Sequence, residues 1–440
     1  MNKKLLSLLL VLAMALGMLT ACGGNNNTET PAADNTPAAT ETETPAETEA
    51  PAETEAPADV DYGSGTITIW VADNITDFTQ AQAAAFIEAN PAFAGYDIVV
   101  EAVGEGDAAG NMITDVEGGA DIYGFAQDQL SRLVVAGALT PVVGDNAAWV
   151  AEQNDAGAVG AATMGDTIYA YPITSDNGYF LYYDSSVITD PTSLEAILAD
   201  AEAAGKGVYM EINNGWYQTS FFFGTGCELT YDTDENGFTG ANVTYASDAG
   251  VQALKAIIAL SNSPAFTNGS SVENATNAAA IIDGTWDAGN AQALFGDNYA
   301  AAKLPTFTVD GNTYQMSGFS GFKLLGVKPQ TDAGKLAACQ ALAQYLSSAD
   351  VQLARFEAVG WGPSNLTAQQ DPAVQADPAL AALAEQIPYD IPQGQYPGDY
   401  WGLATSLGDS VIANEYDNAS DEELMAVLTQ FQDTCISYAQ

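Results

Sequence analysis

Gly165–Asp184 reads GDTIYAYPITSDNGYFLYYD. A polar turn, Gly165-Asp166, opens into an extended apolar run through Ile168, Tyr169 and Tyr171, which Pro172 interrupts. A short polar window follows, Thr174-Ser175-Asp176-Asn177-Gly178, and a second aromatic run leaves through Tyr179, Phe180, Leu181, Tyr182 and Tyr183. Aromatic and β-branched side chains pack well on a pleated surface, so both runs are predicted strands. Two arrangements satisfy this pattern. One is a hairpin with a wet turn. The other is a single ribbon crossing between two lobes, which would place Asp176 in a break facing a cleft.

The flanking chain is of the kind that surrounds such a ribbon. TITIWV (66–71) alternates as a first strand, 77–90 is an alanine-rich helix, and 96–103 is a second strand. A short helix over 112–117 and a buried strand entered at 118–123 follow. Strand and helix alternate at this spacing in parallel α/β construction, whose ligands sit beyond the carboxyl ends of the strands. Asp73 and Asn74 follow the first strand; Phe125, Asp128 and Gln129 follow the third. Beyond the central ribbon the reading continues with a helix over 193–204, a strand over 207–211 and a polar-aromatic loop, Asn213 to Tyr217. A helix over 247–260, a strand over 278–282 ending near Trp286, a long helix over 333–346 and a final helical region from Trp401 to Ser437 complete it.

The chain start reads differently. Residues 2–22 combine Lys3 and Lys4 with an apolar core and a small-residue end, the pattern of a secretory signal peptide and too short for a stable span. Residues 23–65 are rich in Thr, Glu, Pro and Ala and poor in large apolar side chains, so a disordered, extended stalk is expected.

The formal net charge is -47, from 57 acidic and 10 basic residues. Setting aside the ten acids of the stalk and the two lysines of the leader leaves 47 acids against eight bases, about −39. Nucleic acid binding rests on Lys and Arg at phosphates, so no nucleic acid partner is expected. With only two arginines, anionic ligands are disfavoured as well. No histidine occurs, which removes His-dependent nucleophilic catalysis and most transition-metal sites. Cys227, Cys339 and Cys435 show no CxxC spacing, and pairing among them cannot be read. Asp232 to Gly237 matches the first half of a calcium-binding EF-hand loop, but the twelfth position is Val243 instead of the bidentate Glu. Asn236-Gly237 between Tyr231 and Phe238 therefore reads as a hairpin turn, and no metal or cofactor is expected.

Three segments carry a resemblance. GDTIYAYPITSDNGYFLYYD resembles the first inter-lobe crossover of the extracellular solute-binding proteins of carbohydrate ABC transporters, in the maltose/maltodextrin-binding branch. AAIIDGTWDAG (279–289), with KLPTF (303–307), is similar to that family's second-lobe segment, and DIYGFAQDQL (121–130) to its first-lobe ligand loop. The resemblance covers about residues 66–440. It implies a two-lobed periplasmic-binding-protein-like α/β fold with three hinge crossovers, near 174–179, 316–320 and 361–366. Lobe 1 is then 66–174 with 320–364, and lobe 2 is 175–318 with 365–440. Leu19-Thr20-Ala21-Cys22 resembles a lipobox, implying a lipoprotein anchored through Cys22 to the outer face of the cell membrane.

The resemblance also implies site residues. Asp128 and Asp176 stand where family acids bond sugar hydroxyls, Trp286 and Trp401 where sugar rings stack, and Tyr217 where a stacking tyrosine is expected. Asp73, Asn74, Phe125 and Gln129 complete the set. Phe125 stands in place of a tryptophan, Gln129 and Thr405 in place of arginines, Gly215 in place of an acid and Asn74 in place of a lysine, so the particular sugar stays open. The physics suits neutral sugars independently, because a pyranose offers an apolar face to an aromatic ring and a hydroxyl rim to carboxylates and amides. The resulting expectation is a monomeric, non-enzymatic binding protein that delivers an oligosaccharide to ABC transporter permease subunits. Two alternatives remain at this point: a binder of a cationic solute such as a polyamine, which aromatics and carboxylates also suit, and a surface glycosidase using paired carboxylates.

Overall fold

The two aromatic runs of 165–184 do not pair with each other. Ala170–Thr174 pairs with Lys323–Val327, whereas Tyr179–Asp184 pairs with Ala278–Gly284 and Tyr299–Ala302. The hairpin reading therefore fails, and Ser175 to Gly178 crosses from one sheet to another. Pro172 has no N–H to give a ladder, so it fits an edge strand. Ala170–Thr174 is such an edge, and a register shift between Lys323 and Leu324, opposite Thr174 and Pro172, absorbs the irregularity.

The computed structural model describes residues 62–439, apart from 235, 270, 271, 273 and 274. The leader, Cys22 and most of the stalk lie outside the described residues. Residues 62–65, read as the end of the stalk, meet the folded chain: the Tyr62 ring lies 4.6 Å from Phe93, and Gly65 opens the first strand.

The first sheet has the strand order Tyr96–Ala102, Gly65–Val71, Ile122–Ala126, Lys323–Val327, Ala170–Thr174. Its first three strands are parallel and the last two run antiparallel to their neighbours. The second sheet has the order Phe266–Thr267, Gly207–Tyr209, Ala278–Gly284, Tyr179–Asp184, Tyr299–Ala302. Each sheet buries its own apolar core: Ile67, Ile69, Ile122 and Leu325 in the first, Leu181, Val208, Ile282 and Phe221 in the second. Both sheets lie in one compact unit, and this is the two-lobed periplasmic binding protein fold. The paired segments Phe319–Ser320 and Ile391–Pro392 form a small parallel ribbon of their own.

Several local readings change. The helix placed at 112–117 spans Glu105–Thr114. The loop expected at 213–217 is the start of a helix, Gly215–Gly224, because the Asn214 side chain accepts from Trp216 N at 2.9 Å and caps it. The terminal helical region divides into Gly398–Ile412 and Asp421–Ser437. The turn at Asn236-Gly237 is a hairpin, with Asp234 opposite Gly237. Among the described residues no cluster of His, Cys, Asp or Glu could hold a metal ion, and Cys227, Cys339 and Cys435 are buried and unpaired. No described helix is long and apolar enough to cross a membrane.

Candidate functional site

A cleft of about 1090 Å³ opens where the strand ends of the two sheets meet. Its walls differ in chemistry. From the first sheet come Asp73, Asn74, Glu105, Asp128, Gln129 and Arg132, on the turns and first helical residues that follow the strands. From the second come Trp216, Trp286 and Trp401, with Glu211, Asn213 and Asn214 at the rim.

On the polar wall, a chain of side chains positions one carboxyl. Arg132 Nη1 donates to Gln129 Oε1 at 2.6 Å, and Gln129 Nε2 donates to Asp128 Oδ2. Asp128 is 2% exposed. Burial pushes its carboxyl up to about 7, against the opposing pull of Gln129 and Arg132. Gln129 thus spends its amide orienting Asp128.

The aromatic wall is backed by a continuous chain of ring contacts. Trp216 lies on Phe319 at 5.1 Å between centroids, Phe319 meets Tyr396 edge-on at 5.4 Å, and Tyr396 meets Trp401 at 5.7 Å. These spacings fall in the favourable range for ring pairs. Gly215 lets the two helices carrying Trp216 and Trp401 approach, since a Cβ there would lie 2.7 Å from Ala404 Cβ and 3.3 Å from Trp401 Cε3. That close approach is what occupies the position where the resemblance implied an acid. Trp286 folds back over Gly284, whose missing Cβ would sit 2.2 Å from Trp286 Cη2. Trp286 packs against the cores of both lobes, and Asn74 Nδ2 reaches its carbonyl at 3.5 Å.

Six of the nine residues singled out from sequence therefore line this cleft: Asp73, Asn74, Asp128, Gln129, Trp286 and Trp401. Three do not. Phe125 is fully buried in the first lobe, its ring 5.8 Å from Tyr123, because its strand is covered on both faces. Tyr217 points into the second lobe and donates to Asp283 Oδ1 at 2.9 Å. Asp176 does not face this cleft. Its Oδ2 accepts from the Thr285 hydroxyl and from Gly362 N at 2.5 Å, so it staples the first crossing to two other segments. Burial raises its carboxyl, with Lys323 pulling the other way.

Sequence reasoning missed Trp216, Lys323, Trp361 and Gln393, which also line the cleft. The Asn214 cap fixes the helical phase that turns Tyr217 inward, four residues from buried Phe221, and leaves its neighbour Trp216 to the cleft. Lys323 had no local signal, being one base inside a buried strand.

Residues 81–382, well over half of the chain, match the family described as bacterial extracellular solute-binding protein, and the chain belongs to that family. It is a binding protein rather than an enzyme, so the glycosidase alternative falls. Among solved structures, one described as "with acarbose" is similar at 28% identity, with a TM-score of 0.75, covering 86% of this chain and 100% of its own. A maltodextrin binding protein from L. casei BL23 (23% identity, TM-score 0.71, 86% and 99% covered) and the Thermus thermophilus maltotriose binding protein (20%, 0.69, 84% and 100%) share the fold. A curated relative, the galactooligosaccharide-binding protein of Bacillus subtilis (strain 168), is 31% identical over 142 residues. That match spans 32% of this chain and 32% of the relative.

Proposed function

We propose that the protein captures an oligosaccharide of the maltodextrin type in the cleft between its lobes and delivers it to an ABC importer, tethered to the outer face of the membrane through lipid on Cys22. The observation that carries the reading is the pairing of walls: three tryptophans on one side, and a buried carboxyl with its amide and guanidinium supports on the other. A sugar ring has one surface for each. The solved relatives named for maltodextrin, maltotriose and acarbose support the same class, while the galactooligosaccharide relative keeps the linkage open.

On this reading the lobes are 66–174 with 320–364 and 175–318 with 365–440, and they close about the crossings near 174–179, 316–320 and 361–366. The ligand stabilises the closed form by touching both walls at once. Asp128, Asn74, Trp286 and Trp401 act as ligand contacts, and Asp73 and Gln129 as rim and positioning groups. The permease is engaged by the closed form. A cationic solute stands as the second reading, because the cleft lining carries Asp73, Glu105, Asp107, Asp128, Glu211, Asp287 and Asp399 against Lys323 and Arg132.

Tryptophan fluorescence tests the reading. A saturable shift with maltotriose and longer maltodextrins, unaffected by spermidine, is the expected result; a response to spermidine alone would hand the cleft to a cation. The anchor is tested separately, by incorporation of labelled fatty acid that is lost in Cys22→Ser.

A further inference from the structure

Eight basic residues lie within the described part of the chain, and seven have a hydrogen-bond acceptor in reach. Lys206 holds Asp184, Lys255 holds Asp310 and Asp421, Lys335 holds Asp121, and Lys328 donates to the Glu117 and Gly119 carbonyls. Lys303 donates to Gln315, Arg132 to Gln129, and Arg355 to the Ile173 and Leu346 carbonyls. Lys323 is the exception. It is 6% exposed, yet among the described residues its ammonium makes no hydrogen bond and no ion pair. It lies 3.7 Å from the centroid of the Trp361 ring and 5.0 Å from that of Trp286, and it lines the cleft.

Ring faces attract a cation but accept none of its N–H bonds in full. An ammonium has three donors and no acceptor. Leaving such donors unmet in a desolvated site is costly, so the geometry demands acceptors from whatever enters the cleft. Asp176 feels the Lys323 charge, but its Oδ2 is taken by Thr285 and Gly362, its buried Oδ1 meets no donor, and it forms no ion pair with Lys323.

We infer that Lys323 is a specificity-determining residue, a donor at the cleft wall that reads one hydroxyl oxygen of the bound sugar and rejects a cationic group at that position. The inference rests on the oligosaccharide reading and deepens it. Trp286 belongs to the second lobe and Lys323 to the first-lobe sheet, so a hydroxyl held by Lys323 is met at the seam where the lobes close.

The test is a double-mutant cycle on the whole chain, with Lys323→Met keeping the stem and removing the donors. Maltotriose and its set of monodeoxy derivatives are titrated by calorimetry against both proteins. Lys323→Met should weaken maltotriose on the order of tenfold or more, the usual worth of a hydrogen bond to a charged donor. One monodeoxy derivative, lacking the hydroxyl that is read, should bind both proteins within about twofold. A loss confined to one hydroxyl is the readout that a structural counter-ion for Asp176 alone would not give. Equal maltotriose affinity in the two proteins overturns the inference alone, as does uniform weakening of every derivative. A wild type that binds none of the oligosaccharides overturns the oligosaccharide reading, and this inference with it.

Discussion

The two walls of the cleft are built on opposite plans. The first-lobe wall is polar and directional: Arg132, Gln129 and Asp128 hold one another in line, and each can be satisfied by only a few ligand geometries. The second-lobe wall is aromatic and stiff at its centre, backed by ring contacts running from Trp216 through Phe319 and Tyr396 to Trp401, with polar side chains at its rim. Ring stacking tolerates sliding and rotation of a sugar, whereas hydrogen bonds to a buried carboxyl do not. The aromatic wall should therefore supply most of the affinity, and the polar wall most of the discrimination.

This division can be broken at several points. Trp286 touches both lobe cores, so Trp286→Ala should cost the most, about 3 kcal/mol of binding to the best oligosaccharide, read by calorimetry. Trp401→Ala removes one face of the stack without touching the other lobe and should cost about 2 kcal/mol. Asp128→Asn keeps the shape but loses the charge. About 1 kcal/mol should go from affinity, with a larger change in the ranking of sugars than either tryptophan variant gives.

A fourth expectation concerns pH. Asp128 and Asp390 both stand near 7, raised from the ordinary 3.8 by burial. Both therefore hold protons when folded that the unfolded chain releases. Their contribution to stability is full below about pH 4 and is lost as pH rises through about 7. The melting temperature should fall between pH 5 and 8, and Asp390→Asn should flatten that slope, because an amide oxygen can still accept from Gln386 Nε2 and Gly318 N. The smallest effect on binding should come from Tyr217→Phe. It leaves Asp283 without its 2.9 Å partner and should cost about 1–3 kcal/mol of stability, with sugar affinity unchanged within about twofold.

The crossing at 174–179 was legible as one of two arrangements, because Pro172 and the polar window interrupt an otherwise continuous strand pattern. Deciding between them required distant pairing partners, at 278–284 and 323–327. Residues that follow strand ends, such as Asp73, Asn74 and Asp128, were legible for the same reason that α/β ligands sit there. Trp286 and Trp401 were reached only through resemblance. Tyr217 was misplaced by a single residue, since nothing in Asn213 to Tyr217 announces a helix until the Asn214 cap is seen. Asp176 was placed in the right break but given the wrong neighbour: Thr285 and Gly362 come from distant segments and reach its carboxylate first. Lys323 carried no pattern, because its meaning lies in what does not surround it.

The central claim is that these walls enclose an oligosaccharide, and one titration tests it most directly. Residues 62–440 are titrated calorimetrically with maltose, maltotriose and longer maltodextrins, with cello- and xylo-oligosaccharides as controls and spermidine at two salt concentrations. The account expects saturable binding of an α-glucan with affinity on the order of micromolar, insensitive to salt. Binding of spermidine alone, weakening as salt is raised, would contradict it.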